Sequence, residues 1–91
     1  MTFEVRISPS ARKALLQLND DEYEWCKGRI LSLAENPFPG TGGDKEKLSG
    51  NINRYRLHIG RSYTAIYRIE KERKLVCVQE FGYIGEMHKT Y

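Results

Sequence analysis

Residues 2–7 alternate, with Phe3, Val5 and Ile7 on one side and Thr2, Glu4 and Arg6 on the other. A period of two over this length predicts a strand with one buried face. Ser8-Pro9 then reads as an N-cap followed by proline at the first helical position. Ala11, Ala14, Leu15 and Leu18 recur at i, i+3, i+4 and i+7, which predicts a short amphipathic helix. Asn19-Asp20-Asp21-Glu22 opens a second helix. Asn19 caps it, Glu22 can reach back, Leu18 and Tyr23 are placed as a staple, and Asp20 and Asp21 suit the positive end of the helix dipole. Its apolar stripe is Tyr23, Cys26, Ile30, Leu33 and Ala34, flanked by Trp25 and Leu31. Pro37 ends it, with Asn36 expected in a left-handed stop. A short connection between two such helices implies an antiparallel pair.

Residues 37–51 are dense in glycine and proline and show no periodicity, so they read as a loop. Gly40-Thr41-Gly42-Gly43 lacks both a preceding strand and a GK[ST] ending, which excludes a P-loop. Residues 53–59 and 63–69 form a hairpin whose register follows from the side chains. With Gly60-Arg61-Ser62 as a three-residue loop, Ile59 opposes Tyr63, Leu57 opposes Ala65 and Tyr55 opposes Tyr67. One face then collects Tyr55, Leu57, Ile59, Tyr63, Ala65, Tyr67 and Ile69. The other collects Arg54, Arg56, His58, Thr64, Ile66 and Arg68. A two-residue turn would mix tyrosines with arginines, since a one-residue slip exchanges faces. After a turn at residues 70–74, Leu75 to Phe81 is an almost continuous apolar run that fits a central strand. Its facing is not fixed by the pattern. Residues 82–91 carry weak structural signals. The order β-α-α-β-β-β describes an α+β domain: a helical hairpin packed on a mostly antiparallel, four-stranded twisted sheet. The helices should cover the tyrosine-rich face and leave the arginine face open.

The length, 91 residues, fits one domain. No apolar run approaches the ~20 residues of a membrane helix, and the opening residues lack the apolar core of a signal peptide. A cytoplasmic protein without membrane contact is therefore expected. Cys26 and Cys77 form no CxxC and have no histidine at zinc-ligand spacing, so both are expected as reduced core thiols. The overall charge of +3 says less than its distribution. Residues 45–74 hold nine lysines and arginines against three glutamates, a net of +6, so the rest of the chain sums to −3. One basic end can be offered to a polyanion.

The chemistry concentrates on Arg54-x-Arg56-x-His58, with Arg68 across the hairpin and Arg61 in its turn. Exposed strand faces are often charged simply to keep an edge soluble. Two points raise a functional role. The charges on this face share one sign and repel unless a partner neutralises them, and the planar guanidinium fork matches phosphate. His58 has an ordinary pKa of about 6.5, within reach of neutrality, and arginine neighbours favour its neutral, proton-accepting form. His88 is a second candidate, and Tyr91 is either a frayed end or a stacking platform for a base. Glu80 can serve as a carboxylate base if it points to the arginine face. No Ser/His/Asp order, metal-ligand cluster or dinucleotide fingerprint is present.

Lys47-Leu48-Ser49-Gly50, Tyr55-Arg56-Leu57-x-Ile59-Gly60, Tyr63-x-x-x-Tyr67 and the final hydrophobic strand with its short tail together resemble the RelE/ParE superfamily of toxins. The opening strand and Ser8-Pro9-Ser10-Ala11 are similar too. The resemblance implies the toxin of a type II toxin–antitoxin pair, neutralised by a small RelB-like antitoxin. RelE-type members are ribosome-dependent endoribonucleases that cut mRNA in the A site without a metal or small-molecule cofactor. ParE-type members share the fold and poison DNA gyrase. A third reading is a degenerate toxin that only binds antitoxin or RNA. Carried onto this chain, the two basic positions of the second strand are Arg56 and His58. Thr64, and a position near Ile84, stand where the family has arginines. The implied catalytic set is His58, Arg56, Arg61 and Tyr91, and the implied RNA contacts are Arg54, Arg68, Lys47 and His88.

Overall fold

The computed structural model describes residues 2–40, 43–50 and 53–87. Strand β1 is Glu4–Ile7, helix α1 Pro9–Leu15 and helix α2 Asp20–Leu31, followed by a single 3₁₀ turn at Ser32–Ala34. Strands β2 (Lys45–Lys47), β3 (Tyr55–Ile59), β4 (Tyr63–Glu70) and β5 (Leu75–Tyr83) come next, then a short helix α3, Ile84–Met87. They form one sheet in the order β1-β5-β4-β3-β2, antiparallel except for β1, which runs parallel to β5. The α+β architecture agrees with the sequence, but the sheet has five strands rather than four. The additional edge strand β2 lies inside the stretch that lacks hydrophobic periodicity.

Helices α1 and α2 begin where the capping chemistry puts them. The Ser8 hydroxyl accepts from the Ala11 amide at 3.0 Å, and the Asn19 side chain accepts from the Glu22 amide at 2.9 Å. Both caps remove an orphan amide from a helix start. Helix α1 stops at Leu15, a turn before the end of its apolar stripe. Asn36 does not adopt the left-handed stop; Lys74 is the described non-glycine residue with positive φ. The Asn36 side chain instead accepts from the Phe38 amide at 3.1 Å, and its carbonyl accepts from Lys45 Nζ at 2.9 Å.

The hairpin register matches the sequence argument: Tyr55 opposes Tyr67, Leu57 opposes Ala65 and Ile59 opposes Tyr63. Its turn relies on Gly60, whose φ is +61°. A Cβ there would lie 2.6 Å from the Trp25 ring of α2, so a side chain at this point is both strained and crowded. Leu57, Ile59, Tyr63, Ala65, Tyr67 and Ile69 join Ala11, Leu15, Cys26, Ile30 and Leu33 from the helices in one buried core. Tyr67 is fully enclosed; its ring stacks on Tyr55 at 5.5 Å and its hydroxyl donates to the Pro37 carbonyl at 2.6 Å. That partner matters, because a buried hydroxyl without one loses about 1–3 kcal/mol.

The facing of β5 is set by a bulge. Ile66 opposes Glu80 but Tyr67 opposes Val78, so Gln79 is the extra residue. Before the bulge Val76 and Val78 face the helices; after it Phe81 and Tyr83 do. One unpaired residue reverses the parity of everything beyond it. The bulge is pinned by the Ser8 hydroxyl, which donates to the Gln79 carbonyl at 2.8 Å while capping α1. Cys26 is a core thiol, and burial with nearby Glu22 pushes its pKa up to about 11. Cys77 is not a core residue: it is half-buried on the opposite face of the sheet.

Candidate nucleic-acid interface

Alternate residues of all five strands build the face that the helices leave uncovered. Glu46, Arg56, Ile66 and Glu80 lie directly opposite one another across β2, β3, β4 and β5. The next row toward the hairpin turn is His58, Thr64 and Gly82. On the other side lies a row of Arg68, Cys77 and Arg6. Arg54 precedes β3 by one residue and reaches into the same face.

Carboxylates on β2, β4 and β5 pair with the arginines of this face, so the expectation of one unbalanced sign is corrected. Arg56 bonds to Glu46, Arg54 pairs with Glu80 at 3.2 Å, and Arg68 pairs with Glu70 at 2.8 Å. Arg6 on β1 pairs with Glu4 at 2.5 Å. The Arg54–Glu80 pair joins β3 to β5, two strand spacings of roughly 4.8 Å each, and so passes over β4. Beneath it Ile66 is fully buried on the side of the sheet opposite α1 and α2, and Thr64 is enclosed as well, donating to the Leu57 carbonyl at 3.2 Å. The open face is thus an ion-paired surface over an apolar centre.

His58 sits within this network. Its Nε2 is 3.7 Å from Glu46 Oε1, and its backbone amide donates to the Asp44 carbonyl at 2.7 Å. Partial burial, and then the Arg56 guanidinium, lower its pKa below 6.5; Asp44 opposes the shift. Glu46 is shared with Arg56, which spends much of its charge. The imidazole is therefore neutral at pH 7, with a ring nitrogen able to take a proton.

Of the residues singled out in the sequence, His58, Arg56 and Arg54 are brought together, and Arg68 stands one row away. Arg61 is exposed in the turn beyond His58 and has no ion pair among the described residues. Lys47 is not on this face. It opposes Tyr55 and lines a groove at the other side with Asn53, Lys71 and Arg73. His88 and Tyr91 lie outside the described residues. Glu80 does point to the arginine face, where it holds Arg54. Glu46 is the residue that sequence reasoning missed. Its signal was the charge alternation Asp44-Lys45-Glu46-Lys47, which marks an edge strand without apolar residues. Among the described residues no group of three or more His, Cys, Asp or Glu converges at metal-ligand spacing.

A helical hairpin on one side of a mostly antiparallel sheet, with arginines and a histidine on the other, defines the architecture of the RelE/ParE toxins. The model of the ParE toxin of type II toxin–antitoxin systems, parDE, matches residues 5–83, and the chain belongs to that family. It is thus a type II toxin. Comparison with curated proteins yields no match. Among solved structures, a chain of the archaeal RelE–RelB complex from Pyrococcus horikoshii is 28% identical, with a TM-score of 0.77 over 93% of this chain and 98% of that one. The RelBE2 toxin–antitoxin complex from Mycobacterium tuberculosis gives 19% and 0.74, over 91% and 99%. The isolated E. coli RelE toxin gives 20% and 0.73, over 97% of each chain. These last two likenesses speak to the fold.

Proposed function

We propose that this toxin stops translation in the cytoplasm by cutting mRNA in the ribosomal A site, and that a RelB-like antitoxin silences it. One observation carries the reading: a half-buried His58, kept neutral beside Arg56 on the uncovered face of the sheet. RNA cleavage needs a base for the ribose 2′-hydroxyl and cations for the phosphate it attacks. His58 takes the 2′-hydroxyl proton as its oxygen bonds to phosphorus and the bond to the 5′ oxygen of the next nucleotide breaks, leaving a 2′,3′-cyclic phosphate and a 5′-hydroxyl whose proton comes from water. Arg56 and Arg54 hold the phosphate oxygens as charge builds on them. Arg61 and Arg68 flank the row and suit neighbouring phosphates. The attack uses the RNA's own hydroxyl and requires no cofactor.

Inducing the toxin and mapping translated mRNA by primer extension tests this directly. New 5′ ends inside reading frames are expected, and intact messages would overturn it. His58→Ala combined with Arg56→Ala should abolish growth inhibition while leaving the circular dichroism spectrum unchanged. A double variant of full toxicity would place the site elsewhere.

The match to the ParE model favours a second reading, a gyrase poison that binds without cutting. Supercoiling by purified gyrase separates the two, since the gyrase reading alone requires its inhibition.

A further inference from the structure

The open face neutralises itself, and the way it does so bears on what it can bind. Arg54 reaches Glu80 through one terminal nitrogen at 3.2 Å. Its Nε is buried and has no acceptor among the described residues. A carboxylate in full register with a guanidinium takes two parallel bonds; this one takes a single, long bond and leaves half of the fork unused. Glu80 is there because of the Gln79 bulge, which turns it to the uncovered face in the row of Ile66, Arg56 and Glu46. Without the extra residue that position would face the helices.

We infer that Glu80 is a specificity-determining residue: a tethered stand-in for phosphate that occupies Arg54 until an RNA backbone displaces it. The inference rests on the nuclease reading for its substrate. A phosphodiester entering the face presents two oxygens to the fork and satisfies Nε as well as the terminal nitrogen, which Glu80 does not. Displacement returns Glu80, already 39% exposed as a side chain, to water at small cost. A single weak phosphate contact gains little over the internal pair. A backbone held along the whole face meets Arg54 together with the other guanidinium groups of the face and wins. The toxin therefore ignores loose RNA and engages a strand that is already positioned, which is the condition a ribosome-bound message meets.

Replacing Glu80 by glutamine keeps the shape and removes the charge. The test is fluorescence anisotropy of a labelled single-stranded oligouridine against a series of salt concentrations, with the intact protein and no ribosome. Glu80→Gln should tighten binding about fivefold at low salt and steepen the log–log salt slope by about 0.7, the value for one more neutralised phosphate on a single strand. Adding Arg54→Gln should remove both gains. Glu35→Gln, the same charge change at an exposed and distant position, should give a smaller gain and no change in slope. The inference fails if Glu80→Gln binds no more tightly than the parent. It fails equally if the gain survives Arg54→Gln, or if Glu35→Gln reproduces it. A gain without any cleavage of translated mRNA leaves the carboxylate gate standing and removes the nuclease reading. Cleavage by the parent with no gain in Glu80→Gln does the reverse.

Discussion

The two faces of the sheet are built from the same strands by different forces. On the helix side, Leu57, Ile59, Ala65, Tyr67 and Val78 pack against Ala11, Leu15, Ile30 and Leu33, and water is excluded by apolar contact. On the side opposite α1 and α2, Ile66 and Thr64 are just as enclosed. There the neighbours are long charged side chains bridging between strands, Arg54 to Glu80 and Arg56 to Glu46. Arginine stems cover apolar surface while their heads stay polar, so a charged face can also roof a small apolar centre. The first face is fixed by packing, whereas the second is held by ion pairs between neighbouring strands.

The largest effect is expected on the covered face. Tyr67→Ala should cost about 3–5 kcal/mol, as for other buried aromatic truncations. A domain of this size has about 5–15 kcal/mol in all, so the variant sits near the edge of unfolding. Tyr67→Phe should cost about 1–2 kcal/mol by leaving the Pro37 carbonyl without its donor. Urea unfolding reads both. Near-equal losses in the two variants would mean that the hydroxyl, not the ring, anchors this face.

Ile66→Ala probes the other side and can break the comparison. Under an ion-paired roof the cost should be about 2–4 kcal/mol, as for core isoleucines. Were the face simply wet, the loss would fall within about 0.5 kcal/mol, the range of ordinary surface changes. The same urea experiment decides between them.

How far each face could be read from the sequence follows the same division. The hairpin register was legible because burial sorts Tyr55, Leu57 and Tyr67 from Arg54, Arg56 and His58, and a slip would have mixed them. The facing of Leu75 to Phe81 was not, because Gln79 changes the parity within an apolar run. Strand β2 was hidden because Lys45-Glu46-Lys47 offers no apolar alternation; backbone pairing with β3 makes it a strand. The ion pairs were hidden for a further reason. Glu80 is 26 residues from Arg54, and Glu46 is 10 residues from Arg56 in a stretch without apparent structure. Hydrophobic pattern reveals which face is buried, but it does not reveal which charges on the remaining face meet.

Ser8 ties the two faces together, since its hydroxyl caps α1 and holds the bulge that directs Glu80. Ser8→Ala should cost about 0.5–2 kcal/mol, the usual range for a lost N-cap. Amide exchange should quicken both at Ala11 and around Gln79. Faster exchange at Ala11 alone would show that the bulge stands without the serine.

The smallest effect on stability belongs to His58, and it tests the electrostatics of the open face most directly. Its pKa in the fold lies below 6.5, while in the unfolded chain it is about 6.5. Between those two values the unfolded state binds more protons, so stability rises with pH across that window. As pH falls through about 6.5 the contribution turns unfavourable, and it levels off below the folded pKa. A proton NMR titration, with the resonance assigned from His58→Gln, should place the midpoint below 6.5. Arg56→Gln should move it only part of the way back, because burial is the larger cause and remains. A midpoint above 6.5 would mean that Glu46, 3.7 Å from Nε2, outweighs both burial and Arg56. The ring would then be an imidazolium near neutrality, unable to accept the 2′-hydroxyl proton. The uncovered face would be a charge-balanced surface and not a site of base catalysis.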